Sequence, residues 1–428
     1  MSYCIPPYYY TLRAFPIFCI NYTILFWRLP LNELIIKSDA IILPSGLWSG
    51  YITAKNGKIT AITKEPPSVQ GEFIDATGLF VSPGFVDIHT HGGGGYDFMD
   101  GDALCIKEAA MAHMRHGTTT IVPTSLASDI EDIYRFLDNF HSAKRDLADG
   151  PCLLGVHLEG PYFSKAQAGA QDPRYIKDPA TDEYKSIVEY GKGAIVRWSA
   201  APELHGAFEM GDFLKSKGIL PSIAHSDAEY SEIQEARNHY YSLVTHLYSG
   251  MSSIVRRGGY RHLGVVESAY IIEDLDVEVI ADGHHLPIEL LGMIYKFKGP
   301  DRIALVTDSM RAAGMPPGEY ILGSMKTGQK IIVEDGVAKL PDKSAFAGSI
   351  ATADRLVRVI HKQAGVDLVQ AVRMMTATPS RILGINNRKG SIAVHMDCDL
   401  VLFNDNIEVS AVITQGTVWR ANRFDSYR

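Results

Sequence analysis

Six side chains of metal-binding type stand at the C-terminal ends of short apolar runs in this sequence. They are His89, His91, Glu159, His225, His246 and Asp308. His89 and His91 are two residues apart, which is the period of a strand, so both side chains project from the same face. A single buried histidine is more often a core residue bonded to a backbone carbonyl. Because charged side chains are rarely buried without partners, the whole set instead favours one metal centre.

Imidazole nitrogens and carboxylate oxygens are ligands for several divalent ions. Zn²⁺ accepts both and Fe²⁺ uses similar sites, so the sequence predicts Zn²⁺ or Fe²⁺ without deciding between them. Asp308, in the run LVTDS, is the predicted acid/base. A carboxylate beside the metal can take a proton from the attacking water and pass it to the leaving nitrogen. The alternative is that Asp308 caps the N-terminus of a helix just after a strand.

Eight β-rich runs carry or adjoin these residues, and longer segments of mixed apolar and charged spacing separate them. The runs are 85–91, 118–125, 153–160, 195–203, 220–227, 242–249, 277–283 and 302–309. Alternating strand and helix patterns indicate parallel β/α units, and eight units predict a (β/α)8 TIM-type barrel over residues 83–385. The active site of such a barrel lies at the C-terminal ends of its strands, where all six residues are placed.

The two ends of the chain have a different pattern. Residues 34–82 and 386–428 alternate short β-rich runs with turn signals such as Asn56-Gly57, which predicts a small β-sandwich domain formed by both ends. A helical run at 349–385 would lead back from the barrel to that domain. Residues 1–33 are expected to be an appended leader. Their apolar stretch 14–27 is short for a spanning helix and is not followed by a signal-peptide cleavage site.

Charge and cysteine content argue against several classes of protein. A formal net charge of −8 without a basic run disfavours nucleic acid or an anionic membrane surface as a partner. The five cysteines are scattered and contain no C-x-x-C pair, which is typical of reduced thiols in a cytoplasmic enzyme. They are Cys4, Cys19, Cys105, Cys152 and Cys398.

Seven motifs follow one another between about Leu34 and the C-terminus: PGFVDIHTHGGGG, HLEGPYFS, IAHSDA, THLYSGMS, IADGHHLP, LVTDSMRAAG and FAGS. In this order they resemble the N-acetylglucosamine-6-phosphate deacetylases of the amidohydrolase superfamily. The resemblance implies hydrolysis of the N-acetyl amide of N-acetylglucosamine 6-phosphate to glucosamine 6-phosphate and acetate. It also implies principal metal ligands, which are Glu159, His225 and His246, and supports Asp308 as acid/base. His89 and His91 match ligands that only some members have, which leaves room for a second ion bridged by Glu159.

The same resemblance implies residues that contact the amino-sugar phosphate. His285 matches a substrate-contacting histidine, and Arg257 matches an arginine that binds the phosphate. In the family a neighbouring subunit can lend this arginine, which implies a homodimer. Arg256 and Arg261 either assist Arg257 or are solvated surface charges.

Three positions depart from the family pattern. Gln171 stands where some relatives carry a histidine, and Ser249 and Gly250 stand where Asn and Ala are usual. We expect these changes to bear on the substrate side of the site and not on the metal side. They leave open N-acetylgalactosamine 6-phosphate as the substrate, because a changed hydrogen-bond partner discriminates between hydroxyl epimers.

Two further alternatives remain from the sequence. Another amidohydrolase, such as a cyclic amidase or a D-aminoacyl deacylase, would share the barrel and the H-x-H pair. Those relatives often bridge two metals with a modified lysine, whereas this chain offers Glu159. A barrel that has lost its chemistry is the other alternative, since a fold does not dictate a function.

Overall fold

Both ends of the chain contribute to one nine-stranded sheet in the structure, a computed structural model that describes residues 27–29 and 33–420. Its strands are Trp27–Leu29, Glu33–Leu43, Gly46–Lys55, Lys58–Thr63, Glu72–Asp75, Phe80–Pro83, Leu400–Phe403, Val409–Thr414 and Thr417–Arg420. Phe80–Pro83 pairs antiparallel with Leu400–Phe403, which joins the two ends. The predicted turn at Asn56-Gly57 has φ angles of 50° and 74°. A two-residue hairpin turn whose twist matches that of its strands needs positive φ angles at both positions. Asn and Gly adopt such angles readily, which explains their presence here.

The sheet includes part of the predicted leader. Trp27–Leu29 pairs antiparallel with Thr417–Arg420, although it lies within the segment 1–33. Residues 1–26, which hold most of the apolar stretch 14–27, lie outside the described residues, as do Cys4 and Cys19. In the part of the chain that the structure describes, no helix has the length and apolar character needed to cross a bilayer.

Each of the eight predicted runs contains or overlaps a strand. These strands are Phe85–Thr90, Thr118–Pro123, Val156–Glu159, Ile195–Ala200, Leu220–Ile223, Leu243–Val244, Asp276–Val279 and Ile303–Leu305. The first two pair in parallel in a three-stranded sheet with Cys152–Leu153, and the other six form a second parallel sheet in chain order. The parallel direction that the β/α rhythm predicts for these strands is therefore confirmed.

Hydrogen bonds link the two parallel sheets at both of their edges. Thr124, after the second strand, forms an isolated parallel bridge with His157 of the third. At the other edge, Asp308 N donates to His89 O at 2.9 Å, and His91 N donates to Ser309 O at 2.8 Å. The segment after the eighth strand therefore lies beside the first strand.

Helices follow the strands and cover them. They are Ala103–Met114, Ile130–Asp146, Thr181–Tyr190, Ala207–Ser216, Tyr230–Asn238, Val265–Ile271, Ile288–Lys298, Ala353–Arg358, Leu368–Met375 and Ala377–Ile382, with a 3₁₀ turn at Lys165–Gln167 and a π turn at Val359–Gln363. Ile130–Asp146 begins at the N-cap Asp129, whose side chain accepts from Asp132 N. Its residues Phe136 and Phe140 are four apart and therefore point to one side, into the main core. The last three helices occupy the run predicted at 349–385.

Three antiparallel elements were not predicted, and the smallest is the pair of two-residue strands Gly92–Gly93 and Tyr96–Asp97. A three-stranded sheet follows the eighth parallel strand and consists of Gly318–Leu322, Gln329–Glu334 and Val337–Lys339. Its second turn is Asp335-Gly336, with φ angles of 52° and 78°. This is the same hairpin signal as Asn56-Gly57 and was available in the sequence. The third element is an exposed hairpin of Val255–Arg257 with Tyr260–His262.

Candidate active site

The six predicted metal-type side chains come together at the C-terminal ends of the parallel strands. All are buried, from His89 at 0% exposure to Asp308 at 8%. Three of them, His225, His246 and Asp308, have φ angles of 45°, 30° and 44°. Left-handed backbone is uncommon in residues other than glycine and is retained where the surrounding structure enforces it, often at functional sites. The strand ends are therefore shaped to point these side chains toward one another.

The Glu159 carboxylate lies at the centre of the cluster. Its Oε1 is 3.0 Å from His246 Nε2, 3.4 Å from His89 Nε2 and 3.5 Å from His225 Nε2. Its Oε2 is 3.3 Å from His91 Nε2. Four imidazoles therefore share one buried carboxylate.

Asp308 completes the cluster on the side of the H-x-H pair. Its Oδ1 is 3.1 Å from His91 Nε2 and 3.4 Å from His89 Nε2. The alternative role as a helix N-cap is wrong, because the next helix after Asp308 in the described chain begins at Ala353.

Two overlapping groups of side chains have the spacing to hold a divalent ion. One is His89, His91 and Glu159, and the other is Glu159, His225 and His246; in each, the ligand atoms lie within 4.8 Å of one another. His89 Nε2 is buried and makes no hydrogen bond. A buried polar atom without a partner is costly, and ligation of a cation would satisfy this nitrogen. The residues present therefore fit a metal centre.

Burial and charge act against each other in this cluster. Burial lowers the pKa of His91, but hydrogen bonds with Asp308 and Glu159 outweigh it and raise that pKa to about 9. Burial raises the pKa of Glu159, but the charge of His89 and hydrogen bonds from His225 and His246 lower it well below its ordinary value. Positive charge nearby therefore stabilises the ionised carboxylates of Glu159 and Asp308. Either protons on the imidazoles or a divalent cation can supply that charge.

Two fully buried charged residues form a hydrogen-bonded chain that begins at His89 Nδ1. Glu278 Oε2 lies 3.1 Å from His89 Nδ1, and Glu278 forms an ion pair with Arg197. The Arg197 guanidinium also donates to Ser222 Oγ at 2.9 Å and to Thr245 Oγ1 at 2.7 Å. A carboxylate at Nδ1 holds the imidazole in the tautomer that presents a lone pair on Nε2 to a cation.

Glu278 and Arg197 were not identified from the sequence. The available signal was their position, since each is a charge inside an otherwise strand-like run, VEVIADG and IVRWSA. Charged residues are almost never fully buried unless they are paired. A charge within a predicted buried strand is therefore a reason to expect a partner on a neighbouring strand.

A loop after the third strand holds two of the candidate ligands. The Gln167 carbonyl accepts from His225 Nδ1 at 2.8 Å. Gln171 is 5% exposed and donates from Nε2 to Glu159 Oε2 at 2.8 Å. The expectation that position 171 bears on the substrate side alone is therefore wrong.

The cluster opens into a cavity of about 300 Å³, which the predicted substrate residues also line: Gln171, Ser249, Gly250 and His285. His285 Nδ1 lies 2.9 Å from Asp282 Oδ2, and its ring centroid is 4.9 Å from that of Phe346. Phe346 also lines the cavity and was not predicted. A Cβ at Gly250 would lie 2.7 Å from His225 Nδ1, so this site requires glycine at that position as it is folded here.

Arg257 is not among the described residues that line the cavity. It lies on the exposed hairpin, its side chain is 60% exposed, and it pairs with Glu229. Arg256 and Arg261 are exposed on the same hairpin. A single chain therefore does not bring the predicted phosphate ligand to its own site.

Comparison with known proteins places this architecture in a family. The Amidohydrolase family model matches residues 80–419. The N-acetylglucosamine-6-phosphate deacetylase of Bacillus subtilis is 31% identical over 393 residues, which cover 90% of this chain and 97% of that protein. The N-acetylgalactosamine-6-phosphate deacetylase of Escherichia coli O157:H7 is 28% identical over 361 residues, which cover 84% and 92%.

A solved structure agrees with the sequence relatives. It is an N-acetyl-D-glucosamine-6-phosphate deacetylase mutant from Mycobacterium smegmatis, in complex with N-acetyl-D-glucosamine-6-phosphate. It is 29% identical, has a TM-score of 0.83, and the match covers 90% of this chain and 98% of that one. The chain therefore belongs to the amidohydrolase family, in the group of the N-acetylglucosamine-6-phosphate deacetylases.

Proposed function

We propose that the protein hydrolyses the N-acetyl amide of N-acetylglucosamine 6-phosphate to glucosamine 6-phosphate and acetate. The observation that carries this proposal is the Glu159 carboxylate, shared by four imidazoles and flanked by Asp308 beside a cavity of about 300 Å³. The relatives that cover most of the chain support the choice of sugar.

Glu159, His225 and His246 would hold the principal divalent ion, and His89 and His91 would hold a second one that shares Glu159. A bound ion supplies Lewis acidity, which makes water more acidic and polarises the amide carbonyl. The nitrogen and oxygen ligands suit Zn²⁺ or Fe²⁺, at one or two ions per subunit.

Asp308 is the proposed acid/base. Its Oδ1 would take a proton from the attacking water and deliver it to the amide nitrogen as the C–N bond breaks. The carboxylate is suited to accept first, because it is ionised. Burial raises its pKa, but the charges of His89 and His91 and a hydrogen bond with His91 bring it below the ordinary value.

Residues around the cavity would orient the sugar. We assign substrate contacts to Gln171, Ser249, Gly250 and His285, all of which line the cavity. The phosphate would be bound by Arg257, whose planar guanidinium makes two charge-assisted hydrogen bonds to phosphate oxygens. Because Arg257 lies on an exposed hairpin, we propose that it serves a partner subunit in a homodimer.

We infer that the eight parallel strands close a barrel over residues 83–385. The bonds between His89 and Asp308 and between His91 and Ser309 at one edge, with the Thr124–His157 bridge at the other, support closure. The nine-stranded sheet surrounds its own apolar cluster, which supports a small sandwich domain from 34–82 and 386–428.

We propose the cytoplasm as the location of the enzyme. The described cysteines, Cys105, Cys152 and Cys398, are free thiols. Free thiols are usual in a reducing compartment.

Acetate release from a panel of acetylated sugars tests the substrate. We expect turnover of N-acetylglucosamine 6-phosphate at the highest kcat/KM, with N-acetylgalactosamine 6-phosphate and unphosphorylated N-acetylglucosamine slower. A preference for the galactose epimer would transfer the assignment to that sugar. Turnover only of cyclic amides or N-acyl-D-amino acids would move it to another amidohydrolase activity, and no turnover of any amide would indicate a barrel without chemistry.

A further inference from the structure

We propose that Gln171 is a positioning residue, whose amide orients the Glu159 carboxylate so that Oε2 faces His91 while Oε1 faces the other three imidazoles. This inference rests on the proposed metal centre. Gln171 is buried, lies in the loop after the third strand, and reaches Glu159 Oε2 at 2.8 Å.

The partners of Gln171 determine which way its amide points. Its Oε1 accepts from Ala127 N at 2.8 Å, and a backbone N–H can only donate. The amide nitrogen must therefore face Glu159, and an ionised carboxylate can only accept. Reversing the amide would break both hydrogen bonds, so the donor is fixed against Glu159.

This contact separates the two oxygens of Glu159. Oε2, which Gln171 holds, faces His91 at 3.3 Å. Oε1 faces His246 at 3.0 Å, His89 at 3.4 Å and His225 at 3.5 Å. Among the hydrogen bonds of the described residues, Gln171 supplies the one that this carboxylate receives from a group other than histidine. Without it, the plane of the carboxylate would be set by the imidazoles alone.

The backbone around Gln171 is itself fixed. Gln171 N donates to Ala168 O at 3.0 Å, which closes a turn. Ala170 O accepts from Gln329 Nε2 at 2.8 Å. The three-stranded antiparallel sheet that begins at Gly318, which we call the antiparallel insert, therefore holds the loop in place. An amide held on both sides is pre-organised, and a pre-organised partner fixes a metal ligand more firmly than a mobile one.

Zn²⁺ affinity of the chelator-stripped full-length protein tests this role. Gln171→Met keeps a similar volume and removes both hydrogen bonds, and we expect Zn²⁺ to bind on the order of 10- to 100-fold more weakly, measured by competition with a chromophoric chelator. Gln234→Met is the matched control, since Gln234 lies exposed on the helix Tyr230–Asn238. Its affinity should equal that of the wild type.

A second variant and a kinetic readout complete the test. Gln171→Asn keeps an amide but is too short to span Ala127 and Glu159, so it should weaken Zn²⁺ binding as well. Saturating Zn²⁺ should restore kcat in both variants if the residue acts through the metal, and loss of the substrate contact proposed for Gln171 should appear separately as a higher KM. Wild-type Zn²⁺ affinity in these folded variants would overturn the role of Gln171, as would a kcat that stays low at saturating Zn²⁺. Failure of the wild type to bind Zn²⁺ or Fe²⁺ would instead overturn the proposed function.

Discussion

Two groups of charged residues, each built around buried carboxylates, differ in how their charges are balanced. The sheet cluster consists of Lys58, Arg388, Lys389, Asp397 and Asp399. Lys389, whose side chain is 1% exposed, pairs with Asp399 and lies 3.1 Å from Asp397. Asp397 also meets Lys58 and Arg388. Each carboxylate of this cluster therefore faces a side chain that is positively charged at neutral pH.

The site cluster, which consists of His89, His91, Glu159, His225, His246 and Asp308, lacks such partners. Its two carboxylates face imidazoles, whose charge depends on a proton, and His89 Nε2 is buried without a hydrogen bond. Buried charge alone therefore does not mark a functional site. A functional metal site is indicated instead by buried carboxylates whose neighbouring side chains carry no permanent positive charge. Such carboxylates are stabilised by binding a cation.

Asp308→Asn tests whether the site cluster carries out proton transfer, and we expect it to have the largest effect of the variants proposed here. The amide is nearly isosteric with the carboxylate, so metal content should persist while proton transfer is lost, and kcat should fall by ~10²- to 10⁴-fold. Acetate release at saturating substrate measures this, with metal content determined on the same sample. Asp405→Asn, at an exposed position, is the control and should leave kcat unchanged. Near wild-type turnover by the Asp308→Asn variant would remove the acid/base role from Asp308 and make His285 the next residue to test.

Lys389→Met tests whether the ion pairs of the sheet cluster stabilise the folded protein. It leaves Asp399 and Asp397 buried with less positive charge nearby, and loss of one partner of a buried pair costs about 3–5 kcal/mol in the free energy of unfolding. Urea denaturation measures the loss. Lys58→Met removes a half-exposed partner of Asp397 and should cost no more than about 1 kcal/mol. Equal losses in the two variants would show that burial of Lys389 is not what stabilises the sheet cluster.

Arg257→Ala examines a charge that lies outside both clusters. A charged hydrogen bond contributes roughly 1.5–3 kcal/mol, so KM for N-acetylglucosamine 6-phosphate should rise on the order of 10- to 100-fold with little change in kcat. The unphosphorylated sugar serves as the internal control, because its KM should not change. An equal rise in KM for both sugars would show that Arg257 does not recognise the phosphate.

Much of the fold was predictable because the signals are local. The strand runs, the helical spacing and the Asn56-Gly57 turn depend on neighbours in sequence, and each corresponds to an element of the structure. The meeting of the six candidate residues was predictable because the C-terminal ends of parallel strands lie at one edge. The antiparallel insert was missed although Asp335-Gly336 carries the same turn signal.

Contacts between residues that are far apart in sequence were not predictable in the same way. The pair of Glu278 and Arg197 and the bond from Gln171 to Glu159 depend on which strands become neighbours and how their loops fold back. The distance of Arg257 from the cavity depends on the course of one exposed hairpin. Such contacts follow from three-dimensional packing, which the spacing of residues in the sequence does not reveal.

We propose that the site cluster must be completed by a divalent metal before it hydrolyses the amide. The most direct test is acetate release from N-acetylglucosamine 6-phosphate by chelator-treated protein, titrated with Zn²⁺ or Fe²⁺ while bound metal is counted by mass spectrometry. We predict that the metal-free protein releases no acetate and that the rate recovers as one or two ions bind per chain. Full activity in a preparation shown to contain no metal would contradict this proposal.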